Sequence, residues 1–153
     1  MLSAVASVSL PASTFTSAYE NYRVFMQVNP TSTSAGYKMR FRTSGTDNTS
    51  NVYFSAGQFN YAYNGSHFSD STNPSTISVA VGNIEDNGGS ISVMEFLRPQ
   101  VSGRSFVKGI AAGKFENRHF SICHDADAQF DSASFIMNSG TFSGKVMCYA
   151  YNQ

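Results

Sequence analysis

Apolar and polar side chains alternate one by one along several short segments of the chain. In residues 36–42, with the sequence GYKMRFR, the large apolar residues are separated by basic ones. A period of two places the two sets on opposite faces of a β-strand. The same alternation occurs in residues 22–28, 77–81 and 145–151. Each of these segments is therefore predicted to be a half-buried strand.

Turn-forming pairs of Asn, Asp, Ser, Gly and Pro separate these segments. They occur at residues 29–30, 44–45, 64–65, 73–74, 86–89, 102–103 and 139–140. Turns at this spacing are typical of β-sandwiches and barrels. No window of about 11 residues keeps the apolar period of a helix. We therefore predict an all-β chain of about eight to ten strands, folded as a single antiparallel, jelly-roll-like β-sandwich domain over residues 1–153.

Small hydrogen-bonding side chains, and not charges, make this chain polar. It has 24 Ser, 10 Thr and 12 Asn, whereas only 13% of its residues are charged. Ten basic residues balance ten acidic ones, so the positive footprint of a nucleic-acid-binding protein is missing. No apolar stretch approaches the roughly 20 residues of a membrane-spanning helix. We expect a partner other than nucleic acid or a membrane.

Two segments leave their strand geometry open. In residues 90–97, Ile91 and Val93 share one face while Met94 and Phe96 share the other, which indicates burial on both faces or a bulge. We favour burial on both faces. In residues 52–63, Gly57 interrupts an aromatic strand pattern. A glycine inside a strand commonly marks a bend or bulge, so one strand and two strands both fit.

Residues 118–127 hold the densest cluster of metal-ligating side chains, including two histidines. In a strand, His119 and His124 lie on opposite faces and cannot converge on one ion. The two cysteines, Cys123 and Cys148, are too few for a disulfide framework and are predicted to be thiols in strand interiors. We predict no cofactor and no metal centre here.

An acidic turn follows this segment. Asp125, Asp127 and Asp131 have the spacing D-x-D-x-x-x-D, and their oxygens could hold calcium. No Gly or bidentate Glu occurs at EF-hand spacing. A solvated acidic loop is the other interpretation, and both are open at this point.

Catalytic patterns are missing from the sequence. It has no G-x-S-x-G motif, and its glutamates show no pattern diagnostic of a glycosidase carboxylate pair. No phosphate-binding glycine loop opens a helix. We therefore predict that the protein is not an enzyme, and a polysaccharide depolymerase is only a weak alternative.

Two surfaces are candidates for binding. Lys38, Arg40 and Arg42 form a basic row that could contact an anion or a partner, although a charged solvent face is the commoner reason for such a row. Aromatic residues flank the Asn64-Gly65 turn and could stack on a glycan or fill a partner's pocket, although packing between neighbouring strands is the commoner reason for such a cluster. They are Tyr61, Tyr63, His67 and Phe68.

The chain reads FTSAYENYRV at 15–24, YKMRFR at 37–42 and SGTFSGKVMCY at 139–149. In this order the landmarks, which span most of the chain, resemble those of a family of small β domains in virion proteins of tailed bacteriophages, especially tail-fibre and particle-surface proteins. The family's members open with Y-x-x-Y-x-[VIL], continue with L-x-[LMF]-R and close with S-G-x-[FW]-x-x-G-x-[IV]-x-L-Y-G. Here Cys148 replaces the usual Leu and Ala150 the usual Gly.

The resemblance implies a non-enzymatic structural protein of a bacteriophage virion, assembled in the host cytoplasm. Without heptads or repeats for a fibre shaft, a capsid decoration protein or a compact tail-fibre-associated subunit is expected. Its expected partners are other virion proteins and copies of itself, as a homo-oligomer. The alternative is a glycan-binding host-attachment module that contacts a host surface glycan.

Overall fold

A computed structural model describes residues 1–31, 35–61, 64–76, 79–84, 89–114 and 116–152 of the protein. These residues form strands and no helix, so none of them forms a helix that could span a membrane. Thirteen strands lie in this part of the chain, more than the sequence predicted. They are β1 (Leu2–Val5), β2 (Ser7–Ser9), β3 (Asn21–Pro30), β4 (Ala35–Thr43), β5 (Thr46–Asp47), β6 (Tyr53–Tyr61), β7 (His67–Thr76), β8 (Val79–Ile84), β9 (Ser90–Leu97), β10 (Ser105–Gly113), β11 (Glu116–His124), β12 (Ser132–Met137) and β13 (Phe142–Tyr151).

The strands form two antiparallel sheets that pack face to face. The larger sheet has eight strands in the order β1-β13-β3-β9-β10-β11-β6-β7. The smaller sheet has five, with the order β2-β12-β4-β5 and with β8 also paired to β4. The predicted all-β fold, an antiparallel and jelly-roll-like β-sandwich, is confirmed.

The core lies between the inner faces of the two sheets, where the predicted alternation is obeyed. Tyr37, Met39 and Phe41 of β4 are fully buried against Val24 and Met26 of β3 and the other core residues. On β13 the inner residues pack against the core, whereas Met147 and Tyr149 point outward and are exposed. Burial of apolar area on these faces stabilises the sandwich by roughly 25 cal/mol per Å².

Three buried tyrosines satisfy their hydroxyl groups inside the sandwich. The Tyr22 hydroxyl donates to the Thr16 carbonyl over 2.7 Å, and the Tyr53 hydroxyl accepts a 3.0 Å hydrogen bond from the Phe41 backbone N–H. The Tyr37 hydroxyl contacts the Ser92 hydroxyl. A buried hydroxyl without a partner costs a few kcal/mol, so these bonds allow large aromatic rings in the core.

The two ambiguous segments are resolved. Residues 53–61 form one strand, β6, which pairs with β11 in continuous register through Gly57. Strand β9 has no bulge, because its register with β3 and β10 is continuous. The favoured burial of both β9 faces is nevertheless wrong, since Ile91 is 55% exposed on the outer face. Ser90 and Ser92 occupy the inner face there and are buried.

Candidate functional site

A groove crosses the outer face of the eight-stranded sheet. It has a volume of about 810 Å³ and is lined by residues of β3, β9, β10, β11, β6 and β7. We call it the outer groove. Clefts that bind small ligands have volumes of roughly 300–1,000 Å³, so its size suits such a ligand.

Three charged side chains lie in a row across the outer groove. In the register of the sheet, Arg23 of β3 is opposite Glu95 of β9, and Glu95 is opposite Lys108 of β10. Arg23 Nε lies 3.1 Å from Glu95 Oε1, and Lys108 Nζ lies 3.0 Å from Glu95 Oε2. Outward-facing cross-strand neighbours are close enough for such pairs. Each carboxylate oxygen therefore has its own cationic partner.

The two cations keep Glu95 ionised. Its hydrogen bonds to Arg23 and then to Lys108 lower the pKa of the Glu95 carboxyl below its ordinary value. The same hydrogen bond raises the pKa of Arg23. The row therefore carries one net positive charge at neutral pH. The Glu95 side chain is 17% exposed, whereas those of Arg23 and Lys108 are 48% and 62% exposed.

Apolar and neutral polar side chains line the groove beside this charged row. Ile110 is 49% exposed on β10, and in the register it lies between Val93 of β9 and His119 of β11. The β11, β6 and β7 side is lined by small or neutral polar residues, Ala56, Gln58, Ser69, Ser71 and Ser121. Donors, acceptors and an aliphatic surface therefore face the same space.

The chemistry of the outer groove suits binding. Glu95 is the one carboxylate among the described residues that line it, and its lowered pKa makes it a poor proton donor. The nearby strand β11 carries Glu116, but that side chain is buried and pairs with Arg118 over 3.2 Å. A glycosidase needs two carboxyl groups facing one ligand, and these two do not.

Of the aromatic candidates around the Asn64-Gly65 turn, Tyr61 and His67 have described side chains, and these two lie on opposite faces of the sheet. Tyr61 pairs with Glu116 on the inner side of β6, is half-buried, and packs edge-on against the Phe59 ring at 5.6 Å. His67 pairs with Asn60 and is exposed. Tyr63 lies outside the described residues, and Phe68 is described only by its backbone register opposite Phe59. A contact through these residues stays a prediction.

The basic row lies on the outer face of the smaller sheet, on the opposite side of the sandwich from the groove. Asp47 of β5 lies 2.9 Å from Arg42 Nε and 3.5 Å from Arg40. Lys38, Arg40 and Arg42 are each half-buried. Two of the three basic groups therefore share one carboxylate, which reduces the charge of the row. Its role as an anion or partner contact stays a prediction.

The predicted separation of the two histidines is confirmed. His119 is exposed on the outer face of β11, whereas His124 is fully buried on the inner face. Within the described residues no three His, Cys, Asp or Glu side chains cluster as metal ligands.

The acidic turn spreads its carboxylates over separate protein partners. Asp125 pairs with Arg104, Asp127 accepts a hydrogen bond from the Ser102 hydroxyl, and Asp131 accepts one from the Ser44 backbone N–H over 2.7 Å. The three carboxylates are thus held by protein donors as capping and ion-pair groups.

Both cysteines are free thiols, as predicted, and they lie on opposite faces of the eight-stranded sheet. Burial raises the pKa of Cys148 to about 11 and also raises that of Cys123. Both thiols are therefore protonated and weakly nucleophilic at neutral pH.

The outer face of the eight-stranded sheet also carries exposed hydrophobic side chains, which the sequence analysis did not single out. Seven large hydrophobic residues are exposed in the described part of the chain, and five of them lie on this face. We call these five the apolar outer patch: Ile91, Phe106, Ile110, Met147 and Tyr149. The sequence does contain a sign of this patch. Its alternation places Ile91, Met147 and Tyr149 on the outward faces of strands whose other faces fill the core.

No protein-family model matches the chain, and no curated protein matches it in sequence. Among solved structures it is similar to the Caenorhabditis elegans galectin LEC-6, with a TM-score of 0.44 and 13% sequence identity. The similarity covers 97% of this chain and 94% of that one. At this level of similarity it carries no argument about function.

Proposed function

We propose that this chain is a non-enzymatic structural protein of a bacteriophage particle that contacts a neighbouring virion subunit through the apolar outer patch. It acts as a capsid decoration or tail-fibre-associated subunit in the virion, assembled in the host cytoplasm. The observation that carries the proposal is the gathering of five exposed hydrophobic residues on one sheet face. Large apolar patches on a protein surface mark sites of interaction.

The sheet edges support a contact through the face of the sheet. Strand β1 has four residues and an irregular register with β13, and the opposite edge strand, β7, contains Pro74 and shifts its register with β6. In the smaller sheet, β2 has three residues and β5 has two. Short, irregular or proline-containing edges resist pairing with another chain. Face packing is therefore the favoured mode of assembly.

The two outer faces differ in a way that favours a contact through the larger sheet. The smaller sheet presents Lys38, Arg40 and Arg42 together with Ser7 and Ser9 of β2. Interface cores are depleted of charged residues and enriched in aromatic residues and Met. The larger sheet also carries Arg23, Glu95 and Lys108, but its apolar outer patch has the aromatic and Met residues of an interface core, which the basic row lacks.

Incorporation into particles tests the proposal. In cells that supply the variant in place of the native chain, Ile91→Glu should reduce its copies per particle by about tenfold or more, since burying an Ile contributes roughly 1.5–3 kcal/mol. Tyr19→Glu is the matched control, because Tyr19 is 44% exposed but lies outside the patch. Quantitative mass spectrometry of purified particles gives the copy number. Equal incorporation of the two variants would contradict the proposed contact.

A further inference from the structure

Among the described residues, Glu95 is the one hydrogen-bond acceptor that contacts the two cations of the charged row, and it uses only some of their donors. The Arg23 guanidinium has five N–H donors, and those on Nε and one terminal nitrogen contact Glu95. Lys108 has three donors and contacts Glu95 with its Nζ over 3.0 Å. Both side chains are about half exposed or more, so solvent and ligands can reach them. The row can therefore bind an anion while Glu95 stays in place.

The rest of the groove offers the contacts that a polyhydroxylated ligand requires. Gln58, Ser71 and Ser121 supply groups that donate or accept hydrogen bonds, and Ser121 lies directly opposite Lys108 of the charged row. The 49% exposed side chain of Ile110 provides an aliphatic surface beside Lys108 on the same face of β10. Sugars combine hydroxyl groups with apolar C–H faces, so this mixture suits a saccharide better than a purely apolar ligand.

We propose that the outer groove binds a carboxylate-bearing saccharide, with the acid group at Arg23 and Lys108 and a sugar ring against Ile110. The net positive charge of the row favours an acidic sugar over a neutral one, because hydrogen bonds between ionised partners are the stronger ones. Glu95 lies on the strand between the two cations and holds one on each side. This ligand site goes beyond the structural role proposed above. Because Ile110 belongs to both surfaces, the saccharide binds where the neighbouring subunit leaves the outer groove uncovered.

The test uses the full chain and a panel of three probes, trigalacturonic acid, sialyllactose and a glucuronate disaccharide, each beside its methyl ester. The ester removes the negative charge and keeps the sugar. Isothermal titration calorimetry should show binding of at least one acid, about tenfold or more tighter than its ester and weakened by added salt. No binding of any acid at millimolar concentration, or equal binding of acid and ester, would overturn the proposal.

Variants place the ligand in the groove. Lys108→Gln should weaken binding of the acid about tenfold and leave binding of the ester unchanged, whereas Ile110→Ser should weaken both. Lys145→Gln is the matched control, since Lys145 is exposed on the same face of the sheet but outside the groove. Thermal unfolding checks that each variant is folded. Equal effects of Lys108→Gln and Lys145→Gln would refute this site. Because incorporation into particles is measured separately, failure here leaves the structural role intact.

Discussion

His124 is a histidine enclosed by aromatic rings in the core. Its ring centroid lies 4.7 Å from those of Tyr53 and Phe130 and 5.8 Å from that of Phe41. One ring nitrogen, Nε2, lies 3.3 Å from Asn48 Oδ1. Burial lowers the pKa of His124 below its ordinary value of 6.5, although the neighbouring Asp125 opposes this effect. The fold therefore holds the imidazole in its neutral form.

This burial makes the stability of the protein pH-dependent. Below about pH 6.5 the unfolded chain binds a proton at His124 that the folded chain does not. Above that pH His124 is neutral in both states and costs no stability. The free energy of unfolding should fall as the pH drops from about 6.5 through the lowered pKa of His124 in the folded protein. Urea unfolding at several pH values measures this loss. His124→Phe should reduce it and the exposed-site variant His119→Asn should not; an equal loss in all three proteins would contradict the assignment.

Phe41 is the aromatic residue through which several core side chains pack. Its ring stacks on Phe130 at 4.5 Å and meets the Phe96 ring edge-on at 5.8 Å. Phe41→Ala should lower the free energy of unfolding by about 3–5 kcal/mol, because it leaves a cavity between the sheets. Phe106→Ala is the control, since that ring is 45% exposed. A similar small loss for both variants, measured by urea unfolding, would contradict this packing.

At the scale of the strand, Phe120 lies between two glycines. In the register of the sheet Gly109 of β10 and Gly57 of β6 are its neighbours on either side. A Cβ at Gly109 would lie 2.6 Å from the end of the Phe120 ring and 2.7 Å from the Val93 carbonyl oxygen. These glycines make room for an aromatic ring that would otherwise have none.

Gly109→Ala should therefore destabilise the sandwich by about 1–3 kcal/mol, the usual cost of overpacking a core. The carbonyl oxygen of Val93 belongs to a paired strand and has little freedom to move. Ala112→Ser, on the exposed outer face of the same strand, should have little effect. The melting temperatures of the two variants measure this loss of stability. An unchanged melting temperature for Gly109→Ala would refute the close contact.

Local sequence patterns predicted which face of a strand is buried, but not what lies beside it. The alternation in residues 36–42 correctly placed Tyr37, Met39 and Phe41 in the core, because burial on one face imposes a period of two. From the sequence alone Gly57 could mark a bend, because the sequence does not show that its neighbour on the adjacent strand is Phe120.

The same limit explains why the outer groove was missed. Arg23, Glu95 and Lys108 come together only because β3, β9 and β10 are adjacent, and strand order is a long-range property. The partner of the basic row was missed for a similar reason, because Asp47 reaches Arg42 through the two-residue strand β5. Alternation within one strand carries no information on such cross-strand neighbours.

On the scale of the whole molecule, the sandwich has two dissimilar outer faces. One carries the apolar outer patch and the outer groove, and the other carries the basic row. Short or irregular edges separate the two faces. A subunit of this kind suits assembly on a particle surface, where one face is covered by a neighbour and pairing through edges would cause aggregation.

Electron cryomicroscopy of the intact particle tests this account most directly. We predict density for the sandwich on the capsid or at the tail-fibre apparatus, with Ile91, Met147 and Tyr149 buried against a neighbouring subunit. The face that carries Lys38, Arg40 and Arg42 should then be turned away from that contact. A particle that lacks the chain, or one in which the eight-stranded sheet faces solvent while the basic row makes the contact, would contradict the account.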